Sequence, residues 1–428
     1  MDGSFVVKGN IIWSESLSSI KSMEDSFLVV EEGKVKGVFK TLPSQYSSLS
    51  IYDAGNGLVV PGLSDIHVHA PQFGFRGTNL DLELMSWLDT YTFPEESRLA
   101  DEEYADKVYS LFVSTIAKSA TTRLAAFATR HTDATLALMD KIEAAGLSGF
   151  VGKVNMDRNA PDSLREESAE FSASETERWL KAVEERGYSN VKPILTPRFI
   201  PSCTDALMEK LSLLRDRYCL PVQSHLSENM GEVEFVKELS PSSAFYGDAY
   251  DRFGLFGGEG KNGCIMAHCV LSGEDEISLI KKNGVYVAHC PESNANLKSG
   301  IAPLRRYLDE GINVGLGSDI AGGTTESIFD AMIDAVKMSK MYWRLVDDSK
   351  EPLSFKEAFF LGTKGGGSFF GKVGSFEEGY EADILVLSDS HIPYPRALSP
   401  LERLERFAYL HGDINGLEAK WVRGRRLF

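Results

Sequence analysis

An α/β fold is the class this sequence predicts: a (β/α)8 TIM-like barrel with a small β-sandwich domain formed by the N- and C-terminal segments. Three observations carry that expectation. Eight short apolar runs between residues 58 and 317 alternate with amphipathic stretches of helical period. Both chain ends are instead rich in brief β-forming runs broken by turn residues. Polar and ionisable side chains recur just after the apolar runs, at the strand ends where barrels of this kind build their active sites.

In chain order, Phe5-Val6-Val7, Ile11-Ile12-Trp13, Phe27-Leu28-Val29-Val30 and Val35-Lys36-Gly37-Val38 read as strands. Gly9-Asn10 and Glu31-Glu32-Gly33 punctuate them. The segment 41–50 reads as a surface loop. Buried-strand candidates follow at 58–68, 121–128, 149–156, 191–196, 219–225, 264–270, 284–290 and 312–317. The amphipathic stretches between them are clearest at 101–118, with Tyr104, Val108, Leu111, Phe112 and Ile116 in helical register, and at 272–282. Parallel strands need such crossover helices, which favours a barrel. A doubly wound open sheet is the alternative, and the polar clusters at the strand ends count against it. Near the C-terminus, Ala382-Asp383-Ile384-Leu385-Val386-Leu387 and Trp421-Val422-Arg423-Gly424 return to short strands. They can pair with the N-terminal strands in one sheet domain or form a second minidomain, and periodicity does not choose. The expected division is a small β domain of residues 1–60 plus 372–428 and a barrel of residues 61–371.

The chain has 428 residues, 43% apolar and 25% charged, enough to bury a large core. Its 62 acidic and 45 basic side chains leave a net charge of −17, which excludes nucleic acid and anionic membrane as partners. The five cysteines, Cys203, Cys219, Cys264, Cys269 and Cys290, are odd in number and form no C-x-x-C pair, as expected of reduced thiols. No basic leader precedes an apolar stretch, and no run is long enough to span a membrane. The expected class is a soluble, cytoplasmic enzyme.

His67-Val68-His69 closes the first barrel strand. Residues two apart in a strand share a face, so both imidazoles can reach one metal ion. His225, with Glu228 three residues on, then His268, His289 and Asp319, follow four later strands, and His131 follows the second. Any one of these would pass as an ordinary buried histidine or a helix-capping aspartate. Six of eight histidines at strand ends do not sort that way by accident. His67, His69 and His225 offer three neutral nitrogens and Asp319 an anionic oxygen, a set that suits Zn²⁺ with a bound water. Asp319 can also take a proton from that water, and Glu228 is placed as general acid. Other chemistries lack their motifs. There is no H-x-E with P-C-x-x-C, no H-E-x-x-H and no G-x-S-x-G, and Gly366-Gly367-Ser368-Phe369-Phe370-Gly371-Lys372 is read as a turn.

The order His67-x-His69, His225, His268, Asp319 resembles the amidohydrolase superfamily. So does the closing Gly374-x-Phe376-x-x-Gly379-x-x-Ala382-Asp383. Within it the chain is similar to the guanine deaminases over nearly its whole length. The carrying blocks are His67-Val68-His69-Ala70-Pro71-Gln72-Phe73, Asn79-Leu80-Asp81 and Trp87-Leu88-x-x-Tyr91-Thr92-Phe93-Pro94-x-Glu96. Thr196-Pro197-Arg198-Phe199, His225-Leu226-Ser227-Glu228 and His289-Cys290-Pro291-x-Ser293-Asn294 continue them.

That resemblance implies one zinc per subunit on His67, His69, His225 and Asp319, guanine and water as substrates, and a homodimer. It implies guanine contacts from Gln72, Arg198 and Phe199, with His69, His225, Glu228 and Asp319 also bordering the substrate. The implied reaction converts guanine to xanthine and ammonia in purine breakdown. Activated water attacks C2, Glu228 protonates N3, Asp319 moves a proton to the departing amine, and His268 hydrogen-bonds the attacking oxygen. Arg198 can donate to O6 through its rigid fork, Gln72 can donate and accept, and Phe199 can stack on the purine. The competing readings are a zinc deaminase for 8-oxoguanine, ammeline or cytosine, and a metal-free scaffold relative.

Overall fold

The computed structural model describes residues 3–428. The N-terminal runs become β1 (Phe5–Ser16), β2 (Ser19–Glu31), β3 (Lys34–Phe39) and β4 (Ile51–Pro61). The central strands are β5 (Leu63–His69), β6 (Thr121–Phe127), β7 (Ser148–Gly152), β8 (Val154–Asn155), β9 (Val191–Pro193) and β10 (Thr196–Pro197). They continue with β11 (Val222–Leu226), β12 (Cys264–His268), β13 (Tyr286–His289) and β14 (Asn313–Leu316). The chain closes with β15 (Ile384–Leu387), β16 (Leu417–Val422) and β17 (Arg425–Arg426).

Strands from both ends lie in one seven-stranded sheet of order β17-β16-β15-β4-β1-β2-β3. Val7, Ile11, Leu28, Val35, Val59, Ile384 and Trp421 share its buried core, so strands from opposite edges face one another across it. The sheet curls back on itself, so that the β3 edge meets the segment leading into β15: Val35 N–H donates to Tyr380 O at 2.8 Å and Ala382 N–H to Gly33 O at 2.8 Å. Gly33 makes this approach possible. Its φ is +74°, and a Cβ there would lie 2.6 Å from the Arg423 carbonyl oxygen. One curled sheet thus stands where two facing sandwich layers were expected.

The run expected as one strand at 58–68 is divided. Leu58–Pro61 pair antiparallel with β15, whereas β5 pairs parallel with β6. Gly62, at the joint, donates its N–H to Asp383 O at 3.0 Å. Both stretches are buried, so neither shows the polar alternation that would mark a change of sheet.

The central strands form two four-stranded parallel sheets, β5-β6-β7-β9 and β11-β12-β13-β14, with β8 and β10 paired between them. Hydrogen bonds bridge the sheets at both margins. Leu195 N–H donates to Pro221 O at 3.0 Å and Gln223 N–H to Leu195 O at 2.9 Å, while Asp319 N–H donates to His67 O at 2.9 Å. Helices cover the sheets. Glu102–Lys118 is capped by Asp101, whose side chain accepts from Glu103 and Tyr104 N–H, and it buries Ala105, Val108, Phe112 and Ile116. Leu111, expected in that stripe, is 52% exposed on the other side of the helix. Glu274–Lys282 occupies the second amphipathic stretch. The segment expected as a turn near 366–372 instead continues helical turns at Leu361–Gly365 and Ser368–Phe370. All five cysteines are free thiols, Cys219 alone being exposed. Among the described residues no helix is long and apolar enough to cross a membrane.

Candidate active site

The strand ends set the site. His67 and His69 leave β5 two residues apart and are both buried, at 0% and 4% exposure. His225 comes from β11, His268 ends β12, and Asp319 follows β14. Ser227, His268 and Asp319 hold left-handed backbones at φ +46°, +72° and +48°, which L-residues with side chains adopt at a cost. The ends of β11, β12 and β14 therefore carry backbone strain around this centre. Gly317 lets the β14 end approach: a Cβ there would sit 2.8 Å from His67 Cβ and 2.8 Å from Cys290 Sγ.

The ionisable atoms converge. Asp319 Oδ1 lies 3.2 Å from His67 Nε2 and 3.5 Å from His69 Nε2. His69 Nε2 and His225 Nε2 are 3.1 Å apart. His225 Nδ1 is 2.7 Å from the Arg198 carbonyl, which can only accept, so Nδ1 carries the proton and Nε2 presents a lone pair to the centre. His67 has both ring nitrogens buried without a hydrogen-bond partner. A buried imidazole without a partner, facing a carboxylate and two more rings, is what a metal ion would satisfy.

Ligating atoms of His67, His69 and Asp319 fall within 4.8 Å of one another, as do those of His67, His225 and His268 and those of His268, Cys290 and Asp319. Burial raises the Cys290 thiol well above its usual range, which keeps the sulfur protonated and a poor ligand. Burial lowers the pKa of His67, and lowers those of His69 and His225 well below the imidazole norm, which favours their neutral, ligating form. Burial works against charge on Asp319 too. Attraction to positive charge on the His67, His268 and His69 rings, with the His67 hydrogen bond, outweighs it and holds the carboxyl well below its ordinary value whenever a ring carries a proton. The donors thus fit a divalent cation such as zinc.

Glu228 lies on the other side of His268, with Oε2 3.4 Å from His268 Nε2. Burial raises its pKa well above the carboxylate norm, and the Asp319 charge adds to the effect. His268 Nδ1 is 2.9 Å from Asn294 Oδ1, which turns Nε2 toward Glu228 and Asp319. Behind Glu228 stands Glu232, which accepts the Glu228 N–H at 3.0 Å and the Tyr246 hydroxyl at 2.7 Å. Burial, then the Glu228 charge, raises Glu232 to about 7.

A partly open cavity adjoins this centre. His69, His225, His268, Glu228 and Asp319 line it together with Gln72, Arg198 and Phe199, so these expected site residues come together. His67 lies just beneath. His131 and His289, also singled out at strand ends, do not line it. His131 instead precedes the helix Thr132–Ala144. Glu232, Asn294 and the roof residues Leu84, Trp87 and Leu88 went unassigned in the sequence. Glu232 sits four residues after Glu228, a spacing that could have flagged it. Trp87, Leu88 and Asn294 stand in the blocks that carry the resemblance, which was the signal for them, whereas Leu84 carries nothing that separates it from core.

The Amidohydrolase family matches residues 58–416. The chain is 40% identical to the guanine deaminase of Mus musculus, over 86% of this chain and 82% of that protein. It is 35% identical to the guanine deaminase of Dictyostelium discoideum, over 98% and 97% of the two chains. Among solved structures it is similar to the guanine deaminase from C. acetobutylicum with guanine bound in its active site. The TM-score is 0.95 and the identity 46%, covering 99% of this chain and all of that one. With family match, relatives and strand-end histidines agreeing, the chain belongs to the amidohydrolase family and, within it, to the guanine deaminases.

Proposed function

We propose that this protein is a zinc-dependent hydrolase that deaminates guanine to xanthine and ammonia in purine breakdown. The observation that carries the reading is the cavity itself. It sets a buried cluster of histidines and Asp319, together with the buried Glu228 carboxyl, against Gln72, Arg198 and Phe199, side chains suited to a neutral purine. The two parallel sheets are read as one eight-stranded (β/α)8 barrel spanning residues 61–371, with residues 1–60 and 372–428 as the small β domain.

His67, His69, His225 and Asp319 would hold one zinc ion, which when bound lowers the pKa of a coordinated water toward neutrality and so supplies the nucleophile. Arg198 donates to the purine 6-oxo group, Gln72 meets the same edge, and Phe199 packs on the ring face. Glu228 gives its proton to N3 as an oxygen–carbon bond forms at C2. Asp319 accepts one proton of the attacking water and delivers it to the C2 amine, which leaves as ammonia when the C–N bond breaks. The remaining hydroxyl proton restores Glu228, leaving a C2 carbonyl and an N3–H. His268 hydrogen-bonds the attacking oxygen, and its Nδ1 contact with Asn294 fixes the ring.

The test is an ammonia-release assay with guanine, with zinc content measured on the same sample. Release from guanine in preference to 8-oxoguanine, ammeline and cytosine is expected. No release from guanine by zinc-loaded protein would overturn the reading.

A further inference from the structure

Glu96 is buried at 3% exposure in the short helix Phe93–Ser97 and does not line the cavity. Its two carboxylate oxygens nevertheless serve two residues that do. Oε1 accepts Gln72 Nε2–H at 2.9 Å, and Oε2 accepts Arg198 Nη1–H at 2.5 Å. The other end of the Gln72 amide is also held: its Oε1 accepts the Ala321 backbone N–H at 2.8 Å. The Arg198 guanidinium lies over the Phe93 ring at 5.2 Å, three residues before Glu96.

We propose that Glu96 is a positioning residue that fixes the hydrogen-bond polarity the cavity shows to the purine edge, and so makes the pocket select purines bearing a 6-oxo group. The inference rests on the reading of this cavity as a guanine site.

A carboxylate can only accept and a backbone N–H can only donate. Between these two fixed partners the Gln72 amide has one satisfied orientation. In it, one N–H and one oxygen lone pair remain for a ligand. Arg198, with one N–H committed to Glu96, keeps its remaining donors in place for a carbonyl oxygen. The Glu96 charge also balances Arg198, so the pocket offers directed donors to a neutral base rather than a free cation to any anion. Glu96→Gln breaks this logic. Its oxygen can serve Arg198, but its amide N–H₂ then faces the Gln72 N–H₂. If Gln72 turns over to relieve that clash, its own N–H₂ meets the Ala321 N–H. No arrangement satisfies all three partners.

The experiment measures binding of hypoxanthine, which has the 6-oxo group and lacks the C2 amine, and of unsubstituted purine, which has neither. Calorimetry on zinc-loaded parent, Glu96→Gln and Glu96→Asp gives the ratio of their affinities. Glu96→Asp keeps the charge but draws it back by one methylene, so a folded variant is available if the amide is not tolerated. The parent is expected to prefer hypoxanthine. Each variant is expected to lose about tenfold or more on hypoxanthine and less than about threefold on purine, with zinc content unchanged. An equal loss on both ligands marks Glu96 as merely structural, and an unchanged preference in both variants likewise overturns the proposal. A parent that binds neither ligand, or releases no ammonia from guanine, sinks the guanine reading instead. A parent that binds both ligands equally sinks only the selectivity assigned to Glu96.

Discussion

Glu228 is asked to donate a proton at neutral pH, and its surroundings equip it to do so: it is buried, faces the negative charge of Asp319, and accepts a long 3.3 Å bond from Ser299. Glu228→Gln keeps the shape but has no acidic proton to give. That variant should retain its zinc and lose at least a factor of about 10² in turnover, read from kcat and metal analysis together; near-parental kcat would remove Glu228 from the reaction. Glu232 gives a pH signature of its own. Its folded value of about 7 exceeds the ordinary 4.5, so between those values the folded protein binds more protons than the unfolded chain. Its stabilising contribution is therefore complete below the unfolded value and disappears as pH rises through the folded one. The Glu232→Gln protein lacks this titration, so its Tm should fall less than the parent's between about pH 5 and about pH 7.5. Equal falls in thermal unfolding would assign the pH dependence elsewhere. At this scale the convergence of the strand-end histidines and Asp319 was legible in the sequence, because histidines two apart on a strand share a face wherever the strand lies. The roles of Glu96, Asn294 and Glu232 were not, although the first two stand in the blocks that carry the resemblance, since each works through a hydrogen bond that the fold sets up.

Among the elements, the strand ends and the helix ends do different work. β5, β11, β12 and the segment after β14 each bring one or two site residues, and strain at Ser227, His268 and Asp319 is tolerated because parallel neighbours hold the strands behind them. The helix Glu102–Lys118 shows how a terminal strand secures a central helix. Lys420, on β16, is fully buried and donates to the carbonyls of Ile116, Ala117, Ser119 and Thr121 at 3.0, 3.2, 2.9 and 2.6 Å. Of these, Ala117 lies in the last turn of the helix, where carbonyls lack a partner four residues on within the helix. Lys420→Met fills similar space but satisfies none of them, so urea unfolding should show a loss of at least about 2 kcal/mol, while kcat stays near the parent value. A midpoint unchanged in urea would mean that water or rearranged backbone meets those carbonyls. The helix itself was visible as a 3.6-residue pattern, although Leu111 at 52% exposure shows that one apolar residue in register need not be core. Nothing in the sequence marked Lys420 as buried, because a lysine in a short strand ordinarily points to solvent.

Across the whole molecule, the terminal sheet and the parallel sheets are joined by ionic contacts as well as packing. Arg123 on β6 donates through Nε and Nη2 to Asp383 at 2.6 and 2.9 Å, and Asp383 also accepts the Arg423 N–H at 2.8 Å. The proposed metal centre, by contrast, gathers residues from strands β5 and β11 and from the turn after β14, far apart in the chain, so a bound ion should act as a cross-link of the native state alone. Chelation should therefore abolish turnover and lower Tm, and zinc should restore both. A ligand at a hundredfold excess over its Kd adds about 2.7 kcal/mol to stability. A Tm indifferent to chelator would argue that the four side chains do not hold an ion in the folded protein. By itself the sequence determined the alternation of strand and helix, the β character of both ends, and the residue types at the strand ends, because these depend on local periodicity and on chemistry carried by single side chains. Tertiary structure alone decided that both ends share one curled sheet, that the run at 58–68 is divided between two sheets, and that Glu96 grips Gln72 and Arg198 at once. Those outcomes depend on which backbone edges and buried charges meet, and hydrogen bonds between residues far apart in the chain leave no periodic trace in the order of amino acids.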